Sequence, residues 1–160
     1  MVTKHALDIS KAYDRVEWIF LENMRRMGFH HRWVQLIMKC VSSVSYKIKV
    51  NDSYTHRIIP QRGLRQGDPL SPYLFILSAE GFSALLQKAE CQGKLEGIKI
   101  CQEAPRVNHL FFADDSLILM RARPSDAQEL AHILKIYERV SGQVINKDKS
   151  SIMFSSNTNQ

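Results

Sequence analysis

Polar and apolar positions follow two rhythms along this chain. Alternation at every second residue predicts a strand with one covered face, and recurrence every three or four residues predicts a helix. "KHALDI" reads as a short strand that ends near Asp8. "DRVEWIFLENMRRMGF" spaces Val16, Ile19, Phe20, Met24 and Met27 helically, and Gly28 stops it. "HRWVQLIMKCVSS" predicts a second helix with Trp33, Leu36, Ile37, Cys40 and Val41 on one face. "VSYKIKVN" alternates Val44, Tyr46, Ile48 and Val50, and "THRIIP" after "NDSY" reads as the return strand of a hairpin. "QRGLRQGDPLSP" holds two glycines and two prolines in twelve residues and reads as a loop.

A long helix is expected from about Pro72 to Glu90, with Leu74, Leu77, Gly81 and Leu85 in its apolar stripe and Pro69 and Pro72 near its start. "GIKIC", "VNHLFFA" and "SLILMRA" read as strands. "SDAQELAHILKIYERVSG" predicts a helix with Ser125 as N-cap and Gly142 at its end, and "QVI" and "SSIMFS" close the order as strands. Strands and helices in this order predict an α+β fold: one sheet with helices packed on one face, nearest to the ferredoxin-like split βαβ motif.

Composition adds bounds. At 160 residues, 44% hydrophobic and 24% charged, the chain has the make-up of one globular domain with a core of its own. The formal net charge of +6 leans towards a polyanionic partner without requiring one. Three cysteines, Cys40, Cys91 and Cys101, have no CxxC spacing, so neither a disulfide framework nor a zinc site is indicated. No apolar run approaches membrane-spanning length and the N-terminus lacks a signal-peptide pattern, so an intracellular protein with no membrane partner is expected. The polar end, residues 155–160, is expected to fray.

The chemistry concentrates in "HLFFADDSLIL", where Asp114 and Asp115 interrupt an apolar run. Little room for a loop separates the two flanking strands, so the pair sits at or beside a tight turn. Asp8 ends the first strand. If these strands are neighbours, three carboxylates converge on one rim, and three such groups do not stay ionised together at neutral pH without a cation. Hard oxygen ligands select Mg²⁺ or Mn²⁺. The alternative for the pair is turn chemistry, because Asp tolerates turn conformations. Asp14 precedes Glu17 by three residues, a capping-box pattern that makes it a helix N-cap rather than a ligand.

Read in order, these segments resemble the reverse transcriptases of non-LTR (LINE-type) retrotransposons, particularly those of plants. "LDISKAYDRVEW" resembles polymerase motif A, "GLRQGDPLSPYLFIL" motif B, "HLFFADDSLIL" motif C and "SGQVINKDKSSIMFS" motif D. The resemblance implies a polymerase palm over residues 1–154 that joins dNTPs to a primer 3′-hydroxyl on an RNA template by two-metal chemistry. It makes Asp8 and Asp114 the principal Mg²⁺ ligands, Asp115 the third catalytic carboxylate and the Ile9 carbonyl a backbone ligand. It puts Tyr13 under the sugar of the incoming nucleotide, where a ring excludes a 2′-hydroxyl; packing at a helix start is the other reading. Arg65, Gln66 and Gly67 fall in the loop that approaches nucleotide and template, although Gly67 with Asp68 and Pro69 also makes a helix-entry turn. Phe112 and Ala113 fall beside the primer terminus, with sheet core as the alternative for Phe112. Lys149 takes the place of a lysine that protonates pyrophosphate, with Lys147 as its rival.

The resemblance starts at motif A and stops past motif D. Incomplete fingers and no thumb are therefore expected, with these regions and an endonuclease domain supplied by a longer parent protein. A truncated remnant that binds nucleic acid weakly is the alternative. A metal-dependent phosphohydrolase or nuclease is a third reading, opposed by the glycine loop and Tyr13. By resemblance the nucleus is the expected compartment, for target-primed integration, with the cytoplasm as the other. Orientation of reactants supplies several kcal/mol of a bimolecular barrier, so little or no processive synthesis is expected of the 160-residue chain by itself. Robust Mg²⁺-dependent primer extension by the purified chain, abolished by Asp114→Ala, would contradict this.

Overall fold

The computed structural model describes residues 2–156. Its centre is a four-stranded sheet of β1 (Val2–Ser10), β6 (His109–Phe112), β7 (Asp115–Arg121) and β8 (Val144–Phe154). The spatial order is β6-β7-β1-β8, and every neighbouring pair is antiparallel. This is the βαββαβ arrangement expected of a ferredoxin-like sheet, with α4 (Ser71–Cys91) and α5 (Pro124–Ser141) as its two long helices. Of the expected polar end, residues 157–160 lie outside the described residues, while the Ser155 N–H still donates to the Val2 carbonyl at 3.0 Å. Among the described residues, no helix is long and apolar enough to cross a membrane.

The sheet has unequal faces. Thr3, His5, Leu7 and Ile9 of β1 are buried together with Ser116, Ile118 and Met120 of β7. The alternate residues, Lys4, Ala6, Asp8, Asp115, Leu117 and Leu119, are half-buried or exposed. Both long helices cover the first face. Phe82 of α4 stacks on Phe111 of β6 at 5.3 Å and on Tyr137 of α5 at 4.7 Å. Each fully buried side chain in this layer contributes about 1.5–3 kcal/mol. The α4 stripe is centred on Leu74, Phe75, Ser78, Phe82 and Leu86, with Leu77 and Leu85 at its margins. Buried serines and a large phenylalanine replace the leucine stripe read from spacing.

The expected helix over 14–29 does not form as one piece. It is broken into α1 (Ala12–Arg15), α2 (Trp18–Leu21) and a 3₁₀ segment (Glu22–Arg25). Val16 and Glu17 take extended ψ values of 116° and 126°. Their backbone groups are used elsewhere. The Val16 carbonyl accepts from Gly63 N–H at 2.8 Å, and Glu17 N–H donates to the Ser141 carbonyl at 2.9 Å. Long-range bonds thus replace helical ones, and the amphipathic spacing survives the break because Val16, Leu21 and Met24 are still buried. Asp14 is consequently not an N-cap. The cap position is Lys11, in the left-handed region at φ 50°, and Asp14 lies inside α1.

Smaller departures have similar causes. In α3 (His31–Ser42) the buried residues are Val34 and Ile37, whereas Trp33 and Leu36 face solvent. The first hairpin turns at Asn51 and Asp52, both with positive φ, so its return strand begins at Ser53, earlier than read. β2 (Lys49–Val50) and β3 (Ser53–Tyr54) are short, as are β4 (Ile98–Lys99) and β5 (Arg106–Val107). Arg123, not Ser125, is the cap residue of α5, because Pro124 occupies the first helical turn. The two closing strands are one strand with an interruption.

Glycine 142 ends α5 at φ 75°, and a Cβ there would lie 2.6 Å from both the Arg15 carbonyl oxygen and Glu17 Cγ. Gly142→Ala therefore lowers stability by at least about 1 kcal/mol, read as a lower urea midpoint. Burial lowers the pKa of His5 and His109 from the ordinary 6.5, and at His109 Glu80 and Glu90 pull partly the other way. The unfolded chain therefore takes up these protons first. The stability they permit is present above about pH 6.5 and is lost as pH falls through the lower folded values. The urea midpoint should drop between about pH 7 and about pH 5; equal midpoints would contradict this.

Candidate active site

The pairing register decides which acids meet. β1 and β7 pair Lys4 with Leu119, Ala6 with Leu117, and Asp8 with Asp115. Directly opposed residues in an antiparallel pair share a face, with Cβ atoms about 4.5–5.5 Å apart. Asp8 and Asp115 therefore face each other on the uncovered side of the sheet. Like charges in such a pair are destabilising unless something of opposite sign joins them. Neither carboxylate, nor that of Asp114, makes an ion pair or side-chain hydrogen bond among the described residues.

Asp114 lies in the two-residue turn between Phe112 and Asp115, which are themselves paired. Ala113 opens that turn at φ 51°, a left-handed value that costs a residue with a Cβ. Asp114 is in the turn, outside β7, and is not among the side chains that line the groove shared by Asp8 and Asp115. The expected convergence of three carboxylates becomes a facing pair with a third, exposed acid beside it. Among the described residues, no three His, Cys, Asp or Glu side chains form a group that could hold a metal ion. The donor set still suits a hard cation. It is all oxygen, solvent-accessible and unpaired, and Mg²⁺ typically takes one or two carboxylates and completes its shell with water or phosphate.

β8 contributes the other side of the groove. Four residues of β8, Lys147 to Ser150, stand opposite the single Leu7 of β1. The Asp8 N–H, left without its ladder partner there, donates to Ser150 Oγ at 3.2 Å, and that hydroxyl donates to the Asn146 carbonyl at 2.7 Å. The excursion separates the two rival lysines. Lys149 lines the open groove with Asp8, Asp115, Phe112 and Lys4, whereas Lys147 lines a cleft beside α5. Ser150 was not singled out by sequence reading; its only signal is a polar residue within an interrupted strand pattern. Phe112 is 83% exposed on the open face and is not sheet core. Ile9, next to Asp8, buries its side chain on the helical face and pairs with Ile145.

The glycine loop is tied to the first strand's exit. Leu64 N–H donates to the Tyr13 carbonyl at 2.7 Å, and the Trp18 indole N–H donates to the Gly63 carbonyl at 2.7 Å. A Cβ on Gly63 would meet the Asp14 carbonyl oxygen at 2.7 Å. The need for glycine at 63 is thus set by the chain's own backbone. Gly67 has open space and is required by φ 83°. Arg65 and Gln66 are exposed and line a cleft with Asp14, Tyr46 and Arg62, separate from the carboxylate groove. Tyr13 is half-buried and stacks on Phe75 of α4 at 4.8 Å and 13°, a partner that helical spacing alone did not single out.

Residues 3–159 match the family described as "Reverse transcriptase (RNA-dependent DNA polymerase)". The chain is 32% identical over 147 residues to the "Transposon TX1 uncharacterized 149 kDa protein" of Xenopus laevis, covering 91% of this chain and 11% of that protein. It is 30% identical over 145 residues to a "Retrovirus-related Pol polyprotein from type-1 retrotransposable element R2" of Popillia japonica, covering 90% of this chain and 23% of that protein. An uncharacterized mitochondrial protein of Arabidopsis thaliana is 54% identical over 67 residues, which is 42% of this chain and 55% of that protein. Among solved structures, an apo telomerase from Candida tropicalis truncated from its C-terminal domain superposes with a TM-score of 0.71 at 14% identity. It is matched over 99% of this chain and 32% of its own, a likeness of fold alone. The chain thus spans 55% or less of the length of each of these proteins, and by the family match over residues 3–159 it belongs to the reverse transcriptase family.

Proposed function

We propose that this chain is the palm of an RNA-directed DNA polymerase of a LINE-type element. The observation that carries the reading is the facing pair Asp8 and Asp115, unneutralised on an open sheet face, with Asp114 beside it. Asp8, Asp114, Asp115 and the Ile9 carbonyl would hold two Mg²⁺ ions, with Mn²⁺ as a substitute. Bound there, the ions would lower the pKa of a primer 3′-hydroxyl and stabilise charge on a leaving pyrophosphate.

The chain's own groups supply the setting. Phe112 presents an exposed ring beside the carboxylates, a surface for the primer's terminal sugar and base. Tyr13, fixed by its stack on Phe75, presents the sugar-facing edge that would favour dNTP over NTP. Arg65, Gln66 and the Gly67 backbone would contact nucleotide and template from the loop. Lys149, in the carboxylate groove, is better placed than Lys147 to donate a proton to pyrophosphate. An RNA template paired with a DNA primer is the proposed partner; the telomerase of Candida albicans, of like fold at a TM-score of 0.64, was solved with a fragment of telomeric RNA. The nucleus is the proposed site of action. Fingers, thumb and endonuclease functions are assigned to other regions of a longer protein.

Mn²⁺ binding followed by electron paramagnetic resonance tests the centre without requiring turnover. Asp8→Asn and Asp115→Asn should each weaken it by about tenfold or more. Under single-turnover conditions, any incorporation of one dNTP onto a primer annealed to RNA should fall at least about a hundredfold in Asp114→Asn. Unchanged Mn²⁺ affinity in the Asp8→Asn/Asp115→Asn double variant would refute the proposal.

A further inference from the structure

The charge of this chain is not spread evenly. Residues 23–67 carry nine Lys and Arg and a single acid, Asp52, a net charge of +8. The whole chain has +6, so everything outside that segment sums to −2. The segment is one continuous stretch of fold: the end of the 3₁₀ segment, α3, the β2–β3 hairpin and the glycine loop. Within it, Asp52 pairs with Lys49 at 2.8 Å, and Arg62 pairs with Glu17 at 3.4 Å. Arg25, Arg26 and Arg32 have no ion pair and no side-chain hydrogen bond among the described residues. These exposed guanidinium groups make the stretch locally positive and open to an anion.

The same corner carries aromatic rings in an ordered arrangement. Every residue from Arg25 to Trp33 is exposed. Gly28 turns the chain at φ 91°, and Phe29 N–H returns to the Met24 carbonyl at 3.1 Å. That turn lays Phe29 over the first turn of α3, where its ring stacks on Trp33 at 4.7 Å and 18°. Trp33 remains 38% exposed. Solvent-facing indole and phenyl rings held in a stack, on the same exposed run of chain as three arginines without ion pairs, combine the two elements that bind unpaired bases: a flat apolar platform and nearby cations. Helix α3 packs mainly on the 3₁₀ segment and α2 rather than on the sheet. The corner is therefore a surface separate from the Asp8–Asp115 groove. Along the chain it continues into Arg62 and Arg65 of the loop.

We infer that the Arg25–Trp33 corner is a docking surface for single-stranded nucleic acid, which binds by phosphate contacts to Arg25, Arg26 and Arg32 and by stacking of a base on the Phe29–Trp33 pair. It gives a strand outside the reaction centre a second, sequence-independent hold. The inference rests on the polymerase reading for its context, because the basic segment is continuous with the loop assigned to nucleotide. It does not depend on the carboxylates. Its test therefore uses no Mg²⁺ and no dNTP, so failure here leaves the metal measurement intact, and the reverse.

The experiment is fluorescence anisotropy of labelled oligo-U and oligo-dT with the purified chain across a salt series. Arg25→Ala/Arg26→Ala/Arg32→Ala should weaken binding at least about tenfold at low salt and reduce the log–log salt slope by about two, as expected for three contacts to a single strand. Trp33→Ala should weaken binding about tenfold and Trp33→Phe should restore most of it. Lys88→Ala/Lys135→Ala/Arg139→Ala removes the same charge from the exposed faces of α4 and α5 and should change little. A preference between oligo-U and oligo-dT identifies the strand as RNA or DNA, and tighter binding of either single strand than of a blunt duplex is expected. Equal losses from the two triple variants would overturn the inference. So would equal affinity for duplex, or binding to phosphatidylserine vesicles that a single strand does not displace.

Discussion

The antiparallel register of β1 against β7 is the constraint on which the site depends. With one face of the sheet covered by α4 and α5, Thr3, His5, Leu7 and Ile9 must point towards the helices. Alternation then forces Asp8 to the open face, and pairing puts Asp115 opposite it. A slip of one residue would send Asp8 into the helical layer and Leu7 to solvent, at the cost of burying an unpaired carboxylate. The core therefore holds the Asp8–Asp115 pair in place without any direct bond between the two acids. Because β1 is paired on both sides, its end cannot drift, and the one gap in its ladder is closed by the Ser150 hydroxyl.

A second constraint joins the loop of motif B to the exit of motif A. Two backbone hydrogen bonds and the Trp18 indole hold residues 63–64 against residues 13–18. That clasp breaks the helix read over 14–29, and it requires glycine at 63, where a side chain would strike the Asp14 carbonyl. Its consequence is the position of Tyr13. The ring is held from below by Phe75 and its carbonyl is held by Leu64, so a residue that would otherwise sit on a mobile helix start becomes a fixed edge.

Acid and base are then divided between two surfaces. The open sheet face carries the Asp8–Asp115 pair with Lys4 and Lys149 at the groove's margin and Asp114 in the adjoining turn, and the stretch between motifs A and B carries the chain's positive excess. A polyanion is drawn to the second surface, and a cation is needed before it can approach the first. That division lets one modestly basic chain present a positive surface and an all-oxygen donor set at separate places.

Much of this was legible in order and rhythm. The period-two alternation of β1 and β7, the long helices α4 and α5, the Gly142 stop and the Asp pair at a tight turn follow from local chemistry: side-chain period, proline and glycine placement, and turn preference. The motifs named the family because four of them occur in sequence. What local chemistry does not contain is any partner distant along the chain. The break at Val16–Glu17 is made by Gly63 and Ser141, the separation of Lys147 from Lys149 into different clefts by an excursion opposite Leu7, and the buried face of α3 by what it packs against. Asp8 and Asp115 were each visible as acids at strand ends. That they face each other, with Asp114 to one side, is a fact of register, and register is set by which face of the sheet the whole core needs to cover.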